Sequence, residues 1–171
     1  MDESRRERFE AVAPGLIDPL RRFLARRTDA ATAEDVLAET LLVCWRRVAE
    51  LPDEPLPWAY GVARNCLRNA ERSARRQERV AARLGAEPVD PDAPEDLALH
   101  EALAGLRPDD AELLRLWAWE QLTPAEIATV LDITANAASI RLHRAREKLK
   151  ELLRKDAAGS GHEESTEGRT P

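Results

Sequence analysis

Apolar residues return every three or four positions through most of this chain, a period that predicts helices and an all-α fold. In FEAVAPGLIDPLRRFLARR, the residues Phe9, Val12, Leu16, Leu20, Phe23 and Leu24 keep that spacing. Pro14-Gly15 and Pro19 interrupt it and are expected to divide the helix or mark helix starts, because proline lacks an amide donor and crowds the preceding turn. A second pattern opens at Thr32, where TAED sets a capping hydroxyl three residues before Asp35, which can reach back to it. Its apolar side holds Val36, Thr40, Val43, Cys44 and Val48. The run LPDEPLP then forces a loop, since its three prolines cannot continue a helix. A third helix is expected from about Pro57, with Trp58, Val62, Cys66 and Leu67 as its apolar stripe.

The period lapses over GAEPVDPDAPED, residues 85–96. This stretch has almost no large apolar side chain to offset the entropy of ordering it, so it reads as an acidic, flexible linker between two small helical domains. The period resumes with a short helix over about 97–106. Another follows RPDD, with Asp109 or Asp110 as its cap and Leu113, Leu114, Leu116 and Trp117 facing inward. In LTPAEIATVLDITANAASIRLHRAREKLKELL, two helical patterns flank a short break. Thr123, Pro124 and Glu126 supply a cap, a first helical proline and a third-position acid. Asp132-Ile133 forms the turn and Thr134 caps the next helix. Ala128, Ile133, Ala138 and Leu142 are small or apolar where two crossing helices must touch, so the unit reads as a helix-turn-helix whose second helix fits a major groove. The boundaries expected are 5–84 and 97–155 for the domains, 85–96 for the linker and 156–171 for a polar, acidic, disordered tail.

Charge changes this picture in one respect. The chain's net charge is −6, but residues 84–110 carry eight acids against one base, while residues 135–155 carry seven bases against two acids. The average therefore conceals basic surfaces. No segment approaches the roughly 20 apolar residues of a bilayer span, and MDESRRERFE has no apolar signal core, so a cytoplasmic chain without membrane insertion is expected. Cys44 and Cys66 lie far apart in apolar helical settings and read as two buried thiols. Three scattered histidines make no metal site, and no cofactor is expected.

The basic surfaces are the candidate chemistry. DNA carries a negative charge about every 1.7 Å of its axis, so a basic helix gains by releasing counterions. On the last helix, Arg141, Arg144, Arg146 and Lys148 are such cations. A second run, Arg64, Arg68, Arg72, Arg75, Arg76, Arg79 and Arg83, faces only Glu71 and Glu78. Trp58 and Tyr60 precede it, and cations beside aromatics suit a strand whose bases can stack. Taken alone, Trp58 reads more simply as a core residue.

Three stretches, in order, resemble the extracytoplasmic-function sigma factors, small promoter-specificity subunits of bacterial RNA polymerase. AEDVLAETLLVCWRRV is similar to the family's docking helix, LPWAYGVARNCLRN to its "aWLyriARN" segment, and LTPAEIATVLDITANAASIRLHRAREKL to its C-terminal helix-turn-helix. The resemblance covers about residues 5–80 and 97–153. It implies core RNA polymerase and promoter DNA as partners, with an anti-sigma factor as a further partner that family members often have. By position, Asp35, Glu39 and Leu42 would dock on the polymerase. Asn65 would hold a flipped base of the −10 element, with Trp58, Arg64, Arg68 and Arg72 beside the melted strand. Asn136, Ser139, Ile140, His143 and Arg144 would face the −35 element, with Arg141, Arg146 and Lys148 on phosphates.

The chain departs from the family pattern at Ala38, where Gln is common, at Ser139, where Lys or Arg is common, at Ile140, which replaces a usual Ser, and at Asp132, which replaces a turn Gly. Aspartate tolerates a left-handed backbone better than most residues, so the turn is expected to survive. Two other classes compete. A helix-turn-helix regulator acting alone would need a ligand-binding or dimerisation domain, and nothing in 1–84 resembles one. An enzyme would need paired carboxylates, a Ser–His arrangement or a phosphate loop, and none of these patterns occurs.

Overall fold

The computed structural model describes residues 2–83 and 97–160. The expected linker, 85–96, and the end of the expected tail, 161–171, lie outside the described residues. All described regular elements are helical: α1 (Asp2–Ala25), α2 (Ala30–Arg46), a single 3-10 turn at Val48–Glu50, α3 (Pro55–Arg83), α4 (Leu97–Ala104), α5 (Pro108–Ala118), α6 (Pro124–Leu131) and α7 (Ala135–Ser160). They fall into two compact units. One holds α1, α2, α3 and residues 126–133; the other holds α4, α5 and α7.

In the first unit, Leu16, Leu20, Phe23 and Leu24 of α1 are buried with Val36, Leu37, Thr40 and Cys44 of α2 and Ala59, Tyr60, Ala63, Cys66 and Leu67 of α3. The rings of Phe23 and Tyr60 lie 5.0 Å apart between centroids. Each fully buried Leu or Phe stabilises the unit by about 1.5–3 kcal/mol. The buried hydroxyl of Thr40 donates to the Val36 carbonyl at 2.7 Å, so its burial leaves no unmet donor. In the second unit, Leu113, Leu114 and Leu116 of α5 are buried with Ala102 and Leu103 of α4 and Ala138, Leu142 and Ala145 of α7.

Five details differ from the expectations. First, α1 runs unbroken through Pro14 and Pro19. The carbonyls these prolines deprive of a donor belong to Glu10 and Gly15, both exposed residues that water can serve, while the opposite face buries four large side chains. Second, the cap of α2 is Asp29, not Thr32. Its carboxylate accepts from the Thr32 amide at 3.0 Å and the Thr32 hydroxyl at 2.7 Å, which holds the Asp29 carboxyl below the usual range. Third, α5 starts on Pro108 after Arg107, with no side-chain cap; Asp109 and Asp110 occupy the first turn instead, where they favour the positive end of the helix. Fourth, Trp117 is not inward but 39% exposed. The guanidinium of Arg146 covers its ring at 4.5 Å, so the indole is partly shielded by a cation. Fifth, α7 continues through 156–160, the first residues assigned to the tail.

The turn before α7 forms as expected. Asp132 adopts φ 53°, in the left-handed region where a glycine would ordinarily sit. The Ile133 amide reaches back to the Ala128 carbonyl at 3.0 Å. The Thr134 hydroxyl then accepts from the Ala137 amide at 3.1 Å and caps α7.

Candidate nucleic-acid interfaces

A helix advances about 100° per residue, so burial on one side fixes what the other side presents. On α7, Ala138, Leu142 and Ala145 are buried. Asn136, Ser139, Ile140, His143 and Arg144 are all exposed and share an arc of about 140° opposite that stripe. Arg146 borders this arc on one edge, and Arg141 and Lys148 border it on the other, all three exposed. The eight residues expected at the −35 element are thus brought together. Asn136, Ser139, His143 and the aliphatic Ile140 occupy the middle together with Glu147, while Arg144, Lys148 and Arg141 stand toward one rim and Arg146 on the other. This is the arrangement a groove requires, with base edges on its floor and phosphates along its walls.

Sequence reasoning passed over Glu147, which lies on the same arc one turn beyond His143. Its carboxylate accepts from Lys150 at 2.9 Å, and this hydrogen bond chiefly holds its carboxyl below the usual range. The helical period alone marked the position.

On α3, Ala59, Ala63, Cys66 and Leu67 are buried. Trp58, Arg64, Asn65, Arg68 and Arg72, with Arg75, Arg76 and Arg79 beyond them, share the opposite arc of about 120°. Asn65, Arg68 and Arg72 are exposed, and Trp58 and Arg64 are half-buried. Trp58 is thus neither a core residue nor a free platform. The Arg47 guanidinium lies 5.2 Å from its ring, and Arg47 in turn forms hydrogen bonds with Glu50 at 2.9 and 2.5 Å. That bond is the chief reason the Glu50 carboxyl sits below its ordinary range. Arg47 as a brace for Trp58 carried no sequence signal, since the two residues meet only once the loop after α2 has folded. Further along, the Arg72 guanidinium donates to the Asn69 side chain at 3.0 Å, which keeps it on the exposed face. All ten residues 71–80 are exposed, so this half of α3 presents its arginines beyond the packed core.

A third face lies on α2. Ala33, Val36, Leu37, Thr40 and Cys44 are buried, and Asp35, Glu39 and Leu42 are exposed on the far side, with Leu42 at 45%. Because Asp29 caps the helix, Asp35 does not serve that purpose. Leu42 stands one turn beyond Glu39 on the face that also carries Asp35, so an apolar side chain and two acids share one exposed side of α2. Behind this face, burial pushes the Cys44 thiol up to about 11 and also raises Cys66. Both cysteines are free and buried, as expected.

Comparison with known proteins gives these faces a family. The description "Sigma-70, region 4" matches residues 96–149, which include the helix-turn-helix. The RNA polymerase sigma factor CarQ of Myxococcus xanthus is 36% identical over 142 residues, spanning 77% of this chain and 80% of that protein. The ECF RNA polymerase sigma factor SigL of Mycobacterium tuberculosis is 32% identical over 135 residues, spanning 72% of this chain and 76% of that one. In fold, the chain is similar to the sigma factor RpoE of Bartonella quintana, solved with the anti-sigma factor NepR, at 22% identity and a TM-score of 0.59 over 90% of this chain and 98% of that one. No described helix is long and apolar enough to cross a membrane. With three ordered motifs, a helical fold and relatives matched over most of their length, the chain belongs to the extracytoplasmic-function family of RNA polymerase sigma factors.

Proposed function

We propose that this sigma factor divides promoter recognition between two surfaces while a third holds it on core RNA polymerase. The helix-turn-helix domain, 97–155, reads the −35 element as duplex through the α7 arc. The N-terminal domain, 5–84, takes the −10 element through α3. There Asn65 offers a donor and an acceptor to a displaced base, Trp58 offers an aromatic face, and Arg64, Arg68 and Arg72 hold the backbone of the opening strand. The exposed Asp35, Glu39 and Leu42 face of α2 docks on the polymerase. The work is done in the cytoplasm, by binding and strand separation rather than covalent catalysis. An anti-sigma factor, as accompanies the relative from Bartonella quintana, is the regulatory partner this reading brings with it.

The observation that carries the reading is the order of residues around α7: reading groups in the middle, cations on both rims, and the core directly behind. A chain with net charge −6 needs such local concentration, and tethering to polymerase spares it from binding DNA tightly alone. The test is transcription by core polymerase reconstituted with wild type or Arg144→Ala. The variant is expected to keep polymerase binding and to lose the advantage of a promoter bearing a −35 element by about 5- to 150-fold, the worth of one bidentate base contact. Loss of polymerase binding in this variant would refute the assignment of Arg144 to DNA.

A further inference from the structure

Ile140 stands almost directly opposite the buried stripe of Ala138, Leu142 and Ala145, at the centre of the α7 arc, and is 44% exposed. A branched aliphatic side chain there adds nothing to the core, and isoleucine is not a strong helix former. Its neighbours one turn away are Asn136 and Arg144, with Ser139 and His143 alongside, all exposed and all polar. It is therefore the single aliphatic member of a polar reading surface. Among the groups that base pairs display in the major groove, one is aliphatic: the C5-methyl of a pyrimidine, carried by thymine. Hydrogen-bonding edges gain nothing from an isoleucine and would lose water against it.

We propose that Ile140 is a specificity-determining residue that packs on the C5-methyl group of a thymine in the −35 element. This rests on α7 being the −35 reader and adds the chemistry of one position within it. Asn136 and Arg144 flank Ile140 by a helical turn on either side, so the methyl lies between base edges that they can reach. A polar residue at position 140 would hydrate that methyl instead of burying it.

The experiment uses polymerase holoenzyme and a duplex library randomised over the −35 element to find the preferred sequence. Each preferred thymine is then replaced in turn by uracil, cytosine and 5-methylcytosine. Wild type is expected to lose about fourfold in affinity when one particular thymine becomes uracil, the worth of one buried methyl group. At that position 5-methylcytosine should exceed cytosine by a similar factor. Ile140→Ser should erase both ratios, and Ile140→Val should retain part of each. Both substitutions lie on the exposed face, and circular dichroism is expected to show unchanged helix content. If every thymine can become uracil without loss, or if Ile140→Ser keeps the wild-type ratios, the methyl contact is overturned. If the library shows no −35 preference, and Arg144→Ala is equally indifferent, both the contact and the assignment of α7 beneath it fall.

Discussion

Arg141 and Lys148 stand on one rim of the α7 arc, both exposed, and removing them together tests whether the rims meet phosphates. They are seven residues apart and so separated by about 10 Å along the helix axis, too far to share one phosphate. The double variant Arg141→Ala, Lys148→Ala therefore deletes two contacts. Each phosphate neutralised on duplex DNA contributes about 0.9 to the slope of log affinity against log salt, so the slope should become shallower by about 1.8. Raising salt from about 50 to about 200 mM should then weaken wild type about twelvefold more than the variant. The assay is fluorescence anisotropy of holoenzyme on a labelled promoter duplex at several salt concentrations. Polymerase adds its own salt dependence equally to both proteins, so the difference isolates the two side chains. The ranking of −35 sequences should not change. An unchanged slope would refute the placement of these cations on the backbone, and an altered sequence ranking would show that they read bases.

Other consequences follow from single residues. Thr134→Ala deletes the hydroxyl that accepts from the Ala137 amide and should cost about 1 kcal/mol, read as a lower thermal midpoint and weaker −35 binding together. Asn65→Ala should slow strand opening, measured by permanganate reactivity of thymines in the −10 region, while −35 binding by the same holoenzyme stays at the wild-type level. Cys44 and Cys66 should resist a thiol reagent at pH 8 in the native protein and react at once in denaturant. Because burial raises the folded value for Cys44 from 9.0 to about 11, its neutral thiol favours the folded state fully below pH 9, and that contribution is lost as pH rises through about 11. Alkaline unfolding of Cys44→Ala should show a weaker dependence on pH in this window.

The helices, their order and the helix-turn-helix were legible because the apolar period and the turn chemistry agreed. Asp132 in the left-handed turn and Thr134 as the cap of α7 are instances where one residue type has one good local use. Legibility ended where two residues could serve the same purpose. Asp29 and Thr32 are both good caps, and only the fold selects Asp29, one turn before the expected start. The prolines of α1 were misleading because their local cost is offset by the burial of Leu16, Leu20, Phe23 and Leu24, which sequence spacing does not weigh. Trp117 was placed inward on its apolar period, yet its partner Arg146 lies on a different helix. Arg47 over Trp58 is hidden for the same reason. The exposed sides of α2, α3 and α7 were readable as patterns, but only burial of the opposite stripe shows which members of each pattern are available to a partner.

The most direct test of the central claim is the affinity of core RNA polymerase for wild type and for Glu39→Arg, measured side by side. Glu39 is exposed opposite the buried stripe of α2, so reversing its charge should leave the fold intact. Wild type is expected to bind and Glu39→Arg to bind at least about tenfold more weakly, the consequence of placing like charge at a complementary interface. Equal binding by both would move the docking surface off α2, and failure of wild type to bind core polymerase would contradict the account at its root.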